Sequence, residues 1–285
     1  MGENREKRII TLLGTPLSQS FAARMQNAAY AEMGLDLRYT YTETDEKQLP
    51  AAVEKLRREG VPGFAVTKPN KVAVLPLLDE LDPLCGKMGA ANTVVRLPNG
   101  KLKGYNTDGM GFYTALTRDV GLDVTGRAFF CVGAGGAGRA ICSVLAHYGA
   151  GRIYITDLHD AAARALTEEI NEKFAPVAQF VSHGDWSRLG ECDCVLNASG
   201  VGMGESEGIS PIPKELLSPR QLCFDACYNP ARTRFLLDAE ARGCPILNGL
   251  GMSLYQGVAQ IELWTGREAP VEVMRQELLD IISGK

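Results

Sequence analysis

Along most of the chain, short apolar runs alternate with segments in which apolar residues recur at every third or fourth position. Runs at 8–13, 37–42 and 63–67 predict strands, and segments beginning at Phe21 and at residue 50 predict helices. An order in which strands alternate with helices favours parallel sheets covered by helices. The pattern therefore predicts an α/β protein.

The first half of the chain ends in a different pattern. A further helix is expected to begin at Pro69 and to run through Leu78. Residues 92–106 then hold two alternating runs around Asn99 and Gly100, which predicts an antiparallel hairpin. A helical segment follows, and a second strand–helix alternation begins after it, so we expect a domain boundary near residue 108.

The second alternation contains a glycine-rich turn between a strand and a helix. Gly133, Gly135 and Gly138 stand in G-x-G-x-x-G spacing. This spacing allows a tight turn, close approach of a pyrophosphate to the backbone, and close packing of the helix on the strand. The helix N-terminus then offers N–H groups to phosphate oxygens. The other candidate cofactor contacts are Ala134, Gly136 and Ala137 in this loop and Ser199 in the loop after a later strand.

The next strand, RIYITD, ends in Asp157, at the distance where an acidic residue holds the adenosine ribose diol. A carboxylate repels a 2′-phosphate, and the following residue, Leu158, supplies no cation that would attract one. We therefore expect NAD as the cofactor, with NADP as the alternative. His159 and Arg164 are the nearest cations that could reverse this preference.

Composition and charge narrow the class of partner. The 285 residues carry a net charge of −4, which gives no basic surface for nucleic acid and no cationic face for an anionic membrane. The sequence shows neither an apolar run of about 20 residues nor a signal-type N-terminus, so we expect a cytoplasmic protein that binds small molecules. With three histidines and eight scattered cysteines, we expect reduced structural thiols and no metal.

An alcohol oxidation that uses a nicotinamide needs a group that accepts the hydroxyl proton. Histidine is the usual acceptor, but no histidine lies among the suspected substrate loops. Lys68 and Lys71 follow the end of the strand at 63–67. Desolvation favours the neutral amine of a lysine, which can then act as a base. Asp108 could hold such an amine in place.

Five separated motifs together resemble the shikimate dehydrogenase family, including its quinate/shikimate members. They occur in the family's order as GTPLSQSFAARMQN, VTKPNK, GAANT, YNTDG and GLGMSLYQ. The resemblance covers essentially the whole chain. It implies an N-terminal α/β substrate domain, residues 1–107, completed by C-terminal helices within 249–285, and a Rossmann dinucleotide-binding domain, residues 108–248.

The resemblance also implies an activity, the NAD(P)-dependent interconversion of shikimate and 3-dehydroshikimate, or of quinate and 3-dehydroquinate, in the shikimate pathway. Lys71 would be the catalytic acid/base and Asp108 its partner at the substrate hydroxyls. Lys68 falls on a variable position and is expected to be solvated. Further implied contacts are Ser20, Thr67, Asn92, Tyr228 and Gln256 for the substrate and Gly251 for the cofactor.

One motif departs from the family pattern. Family members bind the substrate carboxylate with two hydroxyl residues spaced S-x-S and followed by proline. Ser20 matches the first hydroxyl residue, but Ala22 and Ala23 replace the second hydroxyl residue and the proline. Loss of a hydrogen bond to a charged group costs about 1.5–3 kcal/mol, so we expect weaker shikimate binding. Alternatively, Ser18 and Ser20 form a shifted pair, the ligand is another acid, or Ser20 caps the helix expected at Phe21.

The residues leave two other functions open. One is a dehydrogenase of a related substrate such as aminoshikimate. The other is a non-catalytic sensor that binds a dinucleotide and a metabolite. The sequence also leaves open whether the protein is a monomer or a homodimer.

Overall fold

The computed structural model describes residues 8–17 and 20–283, which form two compact units. The first unit combines the chain up to Thr107 with the C-terminal part from Gln256, and the second unit extends from Asp108 to Tyr255.

Strands and helices alternate along the chain, as the apolar pattern predicts. The strands are β1 (Arg8–Gly14), β2 (Leu37–Glu43), β3 (Gly63–Val66), β4 (Glu80–Leu81), β5 (Thr93–Arg96), β6 (Leu102–Tyr105), β7 (Ala128–Val132), β8 (Arg152–Thr156), β9 (Ala178–Phe180), β10 (Cys194–Asn197), β11 (Leu222–Asp225) and β12 (Ile246–Asn248). The helices are α1 (Ala22–Glu32), α2 (Leu49–Glu59), α3 (Asn70–Ala73), α4 (Pro83–Met88), α5 (Thr107–Asp119), α6 (Gly136–His147), α7 (Asp160–Lys173), α8 (Arg234–Ala241), α9 (Gly249–Thr265) and α10 (Val271–Ile282).

The sheet of the first unit has the strand order β2–β1–β3–β5–β6–β4. β1 is parallel to β2 and β3, whereas β5 is antiparallel to β3 and β6. The predicted hairpin is therefore present as β5 and β6. Gly100 in its loop has a φ of 85°, the left-handed conformation that short hairpin loops require and glycine adopts readily.

The helix predicted from Pro69 through Leu78 is wrong. This segment forms only the single turn α3 and a separate 3₁₀ turn at Leu75–Leu77. Pro76 explains the break, because proline lacks a backbone N–H and its ring clashes with the carbonyl four residues earlier in a helix. Lys71 therefore lies on a short turn directly behind β3.

The sheet of the second unit has the order β12–β11–β10–β7–β8–β9, and all its neighbouring strands are parallel. The order reverses between β7 and β10, and such a switch point is where dinucleotides bind at the carboxyl ends of the strands. Phe129 and Phe130 of β7 are fully buried, so this strand lies in the core. The arrangement confirms the predicted Rossmann fold.

The second boundary between the units lies within α9, at Gln256, whereas the sequence placed it at residue 249. The first turn of α9 packs in the second unit, where Gly251 lies against Ala115 of α5. Farther along the helix, Trp264 Nε1 donates to Val94 O of the first unit (2.9 Å). One helix therefore contributes to both cores.

Three further features concern the class of protein. None of the described helices has the length and apolar character that crossing a bilayer requires. Within residues 8–17 and 20–283, no three His, Cys, Asp or Glu side chains are grouped as a metal site. All eight cysteines are buried and free, as the sequence predicts. Burial raises the pKa of Cys85 to about 12, which keeps this thiol protonated at neutral pH.

Candidate functional site

Four strand ends of the first unit meet at one edge of its sheet. The register pairs Leu13 of β1 with Val66 of β3, and Ala65 of β3 with Thr93 of β5. Thr93 pairs in turn with Tyr105 of β6. The loops that leave β1, β3 and β6 are therefore neighbours of the loop that enters β5. This register brings residues of distant motifs together.

Thr67 and Lys71 lie behind β3, on a segment that backbone hydrogen bonds hold in place. Thr15 N–H donates to Lys68 O (2.9 Å), which joins the segment to the loop behind β1. Ala91 N–H donates to Lys71 O (2.8 Å), which joins it to the entry of β5. Lys71 is half-buried, whereas Lys68 is exposed, as expected for a solvated side chain.

Asn92 is 3% exposed and holds the first residue of α5. Its Oδ1 accepts from Thr107 N–H (2.8 Å), and its Nδ2 donates to Thr107 Oγ1 (3.0 Å). Asp108 directly follows Thr107 in the first turn of α5. The helix dipole favours a negative charge at this position. The contacts of Asn92 therefore determine where the helix that carries Asp108 begins.

Ser20 lies at the entry to α1. The helix begins at Ala22 with Phe21 as its N-cap, and Ser20 Oγ accepts only a long hydrogen bond from Ala22 N–H (3.4 Å). The Tyr41 hydroxyl holds this turn more closely, because it accepts from Ala23 N–H (2.9 Å) and donates to Ser20 O (2.7 Å). The expected capping by Ser20 is therefore weak. Sequence reasoning missed Tyr41 because it lies on another strand.

The remaining substrate candidates lie on other elements. Gln256 is half-buried on α9, beside Gly257, where an added Cβ would overlap Met25 Cε of α1. Tyr228 is half-buried in the loop after β11, and burial raises its pKa. Ser18 lies outside the described residues.

In the second unit, the glycine loop connects β7 to α6. Gly133 has a φ of 108°, and a Cβ there would overlap the backbone of Ser199. A Cβ at Gly138 would overlap Gly133 O. By contrast, a Cβ at Gly135 or Gly136 would have no atom within 4 Å. The loop is therefore tight on the protein side and open at the N-terminus of α6, where a pyrophosphate fits.

Asp157 follows β8, and its carboxylate reaches the glycine loop. Its Oδ2 accepts from Ala134 N–H (2.7 Å), and its Oδ1 accepts from His159 N–H (2.9 Å). The carboxylate thus lies beside the loop at the place where a cofactor ribose is expected.

A buried polar cluster ends β10 and β11. Asp225 is fully buried and accepts from Thr233 Oγ1 (2.6 Å), Cys227 N–H (2.9 Å) and Asn197 Nδ2 (3.0 Å). Asn197 Oδ1 in turn accepts from Ser199 Oγ (2.6 Å). Burial raises the pKa of Asp225, although its hydrogen bonds oppose this. Sequence reasoning missed this cluster, although an acidic residue at the end of an apolar run was an available signal.

Gly251 is buried in the first turn of α9. A Cβ there would lie 2.9 Å from Ala115 Cβ and 3.0 Å from Asp119 Oδ2. The structure gives this glycine a packing role, and its contact with a cofactor stays a prediction.

Two segments of the chain match models of known families. Residues 12–94 match the shikimate dehydrogenase substrate binding domain. Residues 249–279 match the shikimate 5′-dehydrogenase C-terminal domain.

Similarity to individual proteins extends over both units. The shikimate dehydrogenase (NADP(+)) of Desulforamulus reducens is 40% identical over 279 residues, which cover 96% of each chain. The structure of shikimate 5-dehydrogenase from Listeria monocytogenes in complex with shikimate and NAD has a TM-score of 0.92 at 37% identity, covering 98% of this chain and 99% of that one. The 5-ketofructose reductase of a Gluconobacter strain has a TM-score of 0.90 at 35% identity, covering 96% and 98%.

Proposed function

The chain belongs to the shikimate dehydrogenase family, and from this premise we propose that it is an NAD-preferring dehydrogenase of shikimate, quinate or a close polyhydroxy acid. The observation that carries the proposal is made where the strands of the first unit end, beside the loop that enters β5. There the half-buried Lys71 is joined by a backbone hydrogen bond to the residue before Asn92. The backbone hydrogen bond supports the proposal, because it holds the segment that carries the candidate base next to the segment that carries the candidate hydroxyl-binding amide.

In the oxidative direction, Lys71 Nζ takes the proton of the substrate hydroxyl while the carbon–oxygen bond becomes a carbonyl. A nicotinamide, when bound beside the glycine loop, would supply the acceptor for the hydride that leaves the same carbon. In the reductive direction, Lys71 returns the proton to the oxygen. Asp108, in the first turn of α5, is the proposed partner of Lys71 at the substrate hydroxyls. The remaining substrate contacts that we propose are Ser20, Thr67, Asn92, Tyr228 and Gln256.

We assign the substrate domain to residues 1–107 with the C-terminal part from Gln256, and the dinucleotide domain to residues 108–255. The match of residues 12–94 to a substrate binding domain supports the first assignment. The glycine loop at the switch point of the second sheet supports the second assignment.

NAD is the preferred cofactor in this proposal. The Asp157 carboxylate beside the glycine loop would repel a 2′-phosphate. Leu158 is 70% exposed and uncharged, and the Arg164 guanidinium stacks over the Phe180 ring at 3.7 Å. The Desulforamulus relative is named for NADP(+), whereas the Listeria structure contains NAD. Because relatives use either cofactor, the proposed choice rests on these side chains.

A second candidate function is the reduction of an uncharged polyhydroxy ketone. Ala22 and Ala23 stand where the family pattern has the second hydroxyl residue and proline, and Ala23 N–H is already bound to the Tyr41 hydroxyl. The Gluconobacter relative is named for 5-ketofructose, which has no carboxylate. We rank this function second because Ser20 keeps one hydroxyl at the same turn.

A panel assay with two lysine variants tests the proposal. We expect turnover of shikimate or quinate, with kcat/KM at least about tenfold higher for NAD than for NADP. The Lys71→Ala variant should lower kcat by about 10²–10⁴-fold, the usual contribution of a positioned acid/base. Lys68→Ala removes the same charge three residues earlier, at an exposed side chain, and should leave kcat unchanged.

The outcomes separate the candidates. Faster turnover of 5-ketofructose than of either acid would favour the uncharged substrate. A wild-type protein that binds NAD without turnover of any substrate would be a sensor. Equal kcat values for Lys71→Ala and wild type would remove Lys71 from the mechanism.

A further inference from the structure

A chain of buried polar side chains connects α1 and α9 to the edge where the site lies. Gln26 of α1 and Thr93 of β5 are 0% exposed, and Gln260 of α9 and Asn92 are 3% exposed. Buried polar groups cost stability unless they are hydrogen-bonded, and apolar residues would fill the same space at less cost. The presence of four such residues in series therefore calls for a role beyond packing.

The hydrogen bonds of this chain run in one direction. Gln26 Nε2 donates to Gln260 Oε1 (3.1 Å), and Gln260 Nε2 donates to Thr93 Oγ1 (3.0 Å). Thr93 Oγ1 then donates to Asn92 Oδ1 (2.9 Å). An amide NH₂ group can only donate, so Gln260 must use a lone pair of the Thr93 hydroxyl. The Thr93 hydrogen is thereby left for the next acceptor.

The last member of the chain has a fixed orientation. Asn92 Oδ1 accepts both from Thr93 and from Thr107 N–H (2.8 Å), which can only donate. The carboxamide oxygen must therefore lie on this side, and its Nδ2 must lie on the other. Gln26 is fully buried although, among the described residues, its Oε1 has no hydrogen-bond partner. Gln26 therefore contributes only its Nε2 donor, with which the series of hydrogen bonds begins.

We propose that Gln260 is a positioning residue, which acts through the Thr93 hydroxyl and, together with Thr107 N–H, fixes the orientation of the Asn92 carboxamide. This inference rests on the proposed function, in which Asn92 binds a substrate hydroxyl. Gln260 itself does not touch the substrate. Without the Gln260 donor, the Thr93 hydroxyl can turn from Asn92 Oδ1 to Thr107 Oγ1, which lies 3.2 Å away. The Asn92 carboxamide then loses one of the bonds that hold its oxygen.

Paired variants at Thr93 and Gln260 test the proposal in steady-state assays with shikimate and NAD. Thr93→Val keeps the shape and removes the hydroxyl, so KM for shikimate should rise about tenfold, the effect of one hydrogen bond. Thr93→Ser keeps the hydroxyl and should stay within about twofold of wild type. Gln260→Met should match Thr93→Val. The double variant should be no worse than either single variant, because both act through Asn92.

Gln221 supplies a matched control in the second unit. It is 2% exposed, and its Nε2 donates to Leu189 O (2.7 Å) and Cys192 O (3.2 Å). Gln221→Met should lower the melting temperature and leave KM for shikimate unchanged. If Gln260→Met behaves in the same way, or if the effects at Thr93 and Gln260 add, the proposal is wrong.

A spectroscopic readout separates this proposal from the assigned activity. In protein with nitrogen-15-labelled asparagine, the Asn92 side-chain amide signals are identified by their loss in Asn92→Asp. Gln260→Met and Thr93→Val should shift these signals and speed their exchange with solvent, whereas Thr93→Ser should not. Unchanged signals would overturn the positioning role even if shikimate is a substrate. Changed signals in a protein that does not turn over shikimate would support the positioning role and reject only the assigned substrate.

Discussion

Tyr41 and Ala22 show how single residues shape the turn that follows β1. The Tyr41 hydroxyl accepts from Ala23 N–H (2.9 Å) and donates to Ser20 O (2.7 Å), so a side chain of β2 holds this turn. Ala22 offers no hydroxyl where the family pattern has one. A substrate carboxylate would therefore find one donor fewer here than in a member with both hydroxyl residues.

Restoring the hydroxyl at position 22 tests this account. Ala22→Ser should lower KM for shikimate by about tenfold, because a hydrogen bond to a charged group contributes about 1.5–3 kcal/mol. The value of kcat should change little, and both constants come from initial rates at saturating NAD. Ala23→Ser makes the same change one residue later and is expected to leave KM unaltered. An unchanged or higher KM in Ala22→Ser would mean that no contact is missing.

At the residue scale, the sequence predicted positions better than contacts. The placement of Lys71 and Asp157 behind strands could be predicted, since each follows an apolar run, and a strand end has a defined place in an α/β sheet. The roles of Tyr41 and Gln260 could not be predicted, because each depends on a partner from another element. Tyr41 meets Ala23 across 18 residues, and Gln260 meets Thr93 across 167.

At the scale of elements, the junction of β7 and α6 depends on the absence of a Cβ atom at Gly138. A Cβ at Gly138 would overlap Gly133 O, so the helix approaches the strand at backbone distance. Gly136, the first residue of α6, has no atom within 4 Å of a Cβ position. The two glycines therefore differ in what they require, although both belong to the same loop.

Alanine variants at Gly138 and Gly136 test whether the close packing of α6 on β7 requires glycine only at position 138. Gly138→Ala should destabilise the protein by about 1–3 kcal/mol, the usual cost of overpacking, because α6 must move away from β7. Gly136→Ala, with open space around it, should keep the wild-type stability or gain slightly, since alanine favours helices. Thermal unfolding measures both effects. Equal melting temperatures for the two variants would contradict the close approach at Gly138.

The strands expected at 8–13, 37–42 and 63–67 begin at Arg8, Leu37 and Gly63. The helix expected to begin at residue 50 is Leu49–Glu59. The segment after Pro69 has helical apolar spacing as well, yet Pro76 ends the helix after one turn. The periodicity of apolar residues indicates which face of a helix is buried. A single residue without a backbone N–H, such as Pro76, determines whether the helix continues.

At the scale of the whole molecule, strand order could not be predicted from the sequence. Alternating strands and helices predicted parallel sheets, and the hairpin predicted one antiparallel pair. The position of β3 between β1 and β5 depends on pairing between distant segments, which no local pattern encodes. This order is nevertheless what places Thr67 beside Asn92 and Thr107. The motifs therefore identify candidate residues, whereas the strand order shows that these residues lie close together.

The dependence of stability on pH is also a property of the whole molecule, and its carboxylates act in opposite directions. A hydrogen bond from Ser187 N–H lowers the pKa of Asp185, so its ionised form stabilises the native state. This contribution is present above the unfolded pKa and is lost as the pH falls through the native one. Burial raises the pKa of Asp225, so the native state holds this proton more tightly than the unfolded chain. The contribution of Asp225 is therefore present at low pH and is lost as the pH rises through its native pKa.

Asp225→Asn removes this ionisation and keeps a polar side chain of the same shape. Asparagine cannot accept all the hydrogen bonds from Thr233, Cys227 and Asn197, which lowers stability by an amount that does not depend on pH. The free energy of unfolding of Asp225→Asn, relative to wild type, should therefore increase between about pH 4 and about pH 7, as wild type comes to bear the cost of a buried charge. Urea titrations at both pH values resolve such a change, because a tenfold difference in proton affinity corresponds to about 1.4 kcal/mol. Asp185→Asn should change little over this range, because the contribution of Asp185 is complete above its unfolded pKa of about 3.9 and is lost only at lower pH. A relative stability of Asp225→Asn that stays constant or falls over this range would show that the hydrogen bonds, and not burial, control the Asp225 carboxyl.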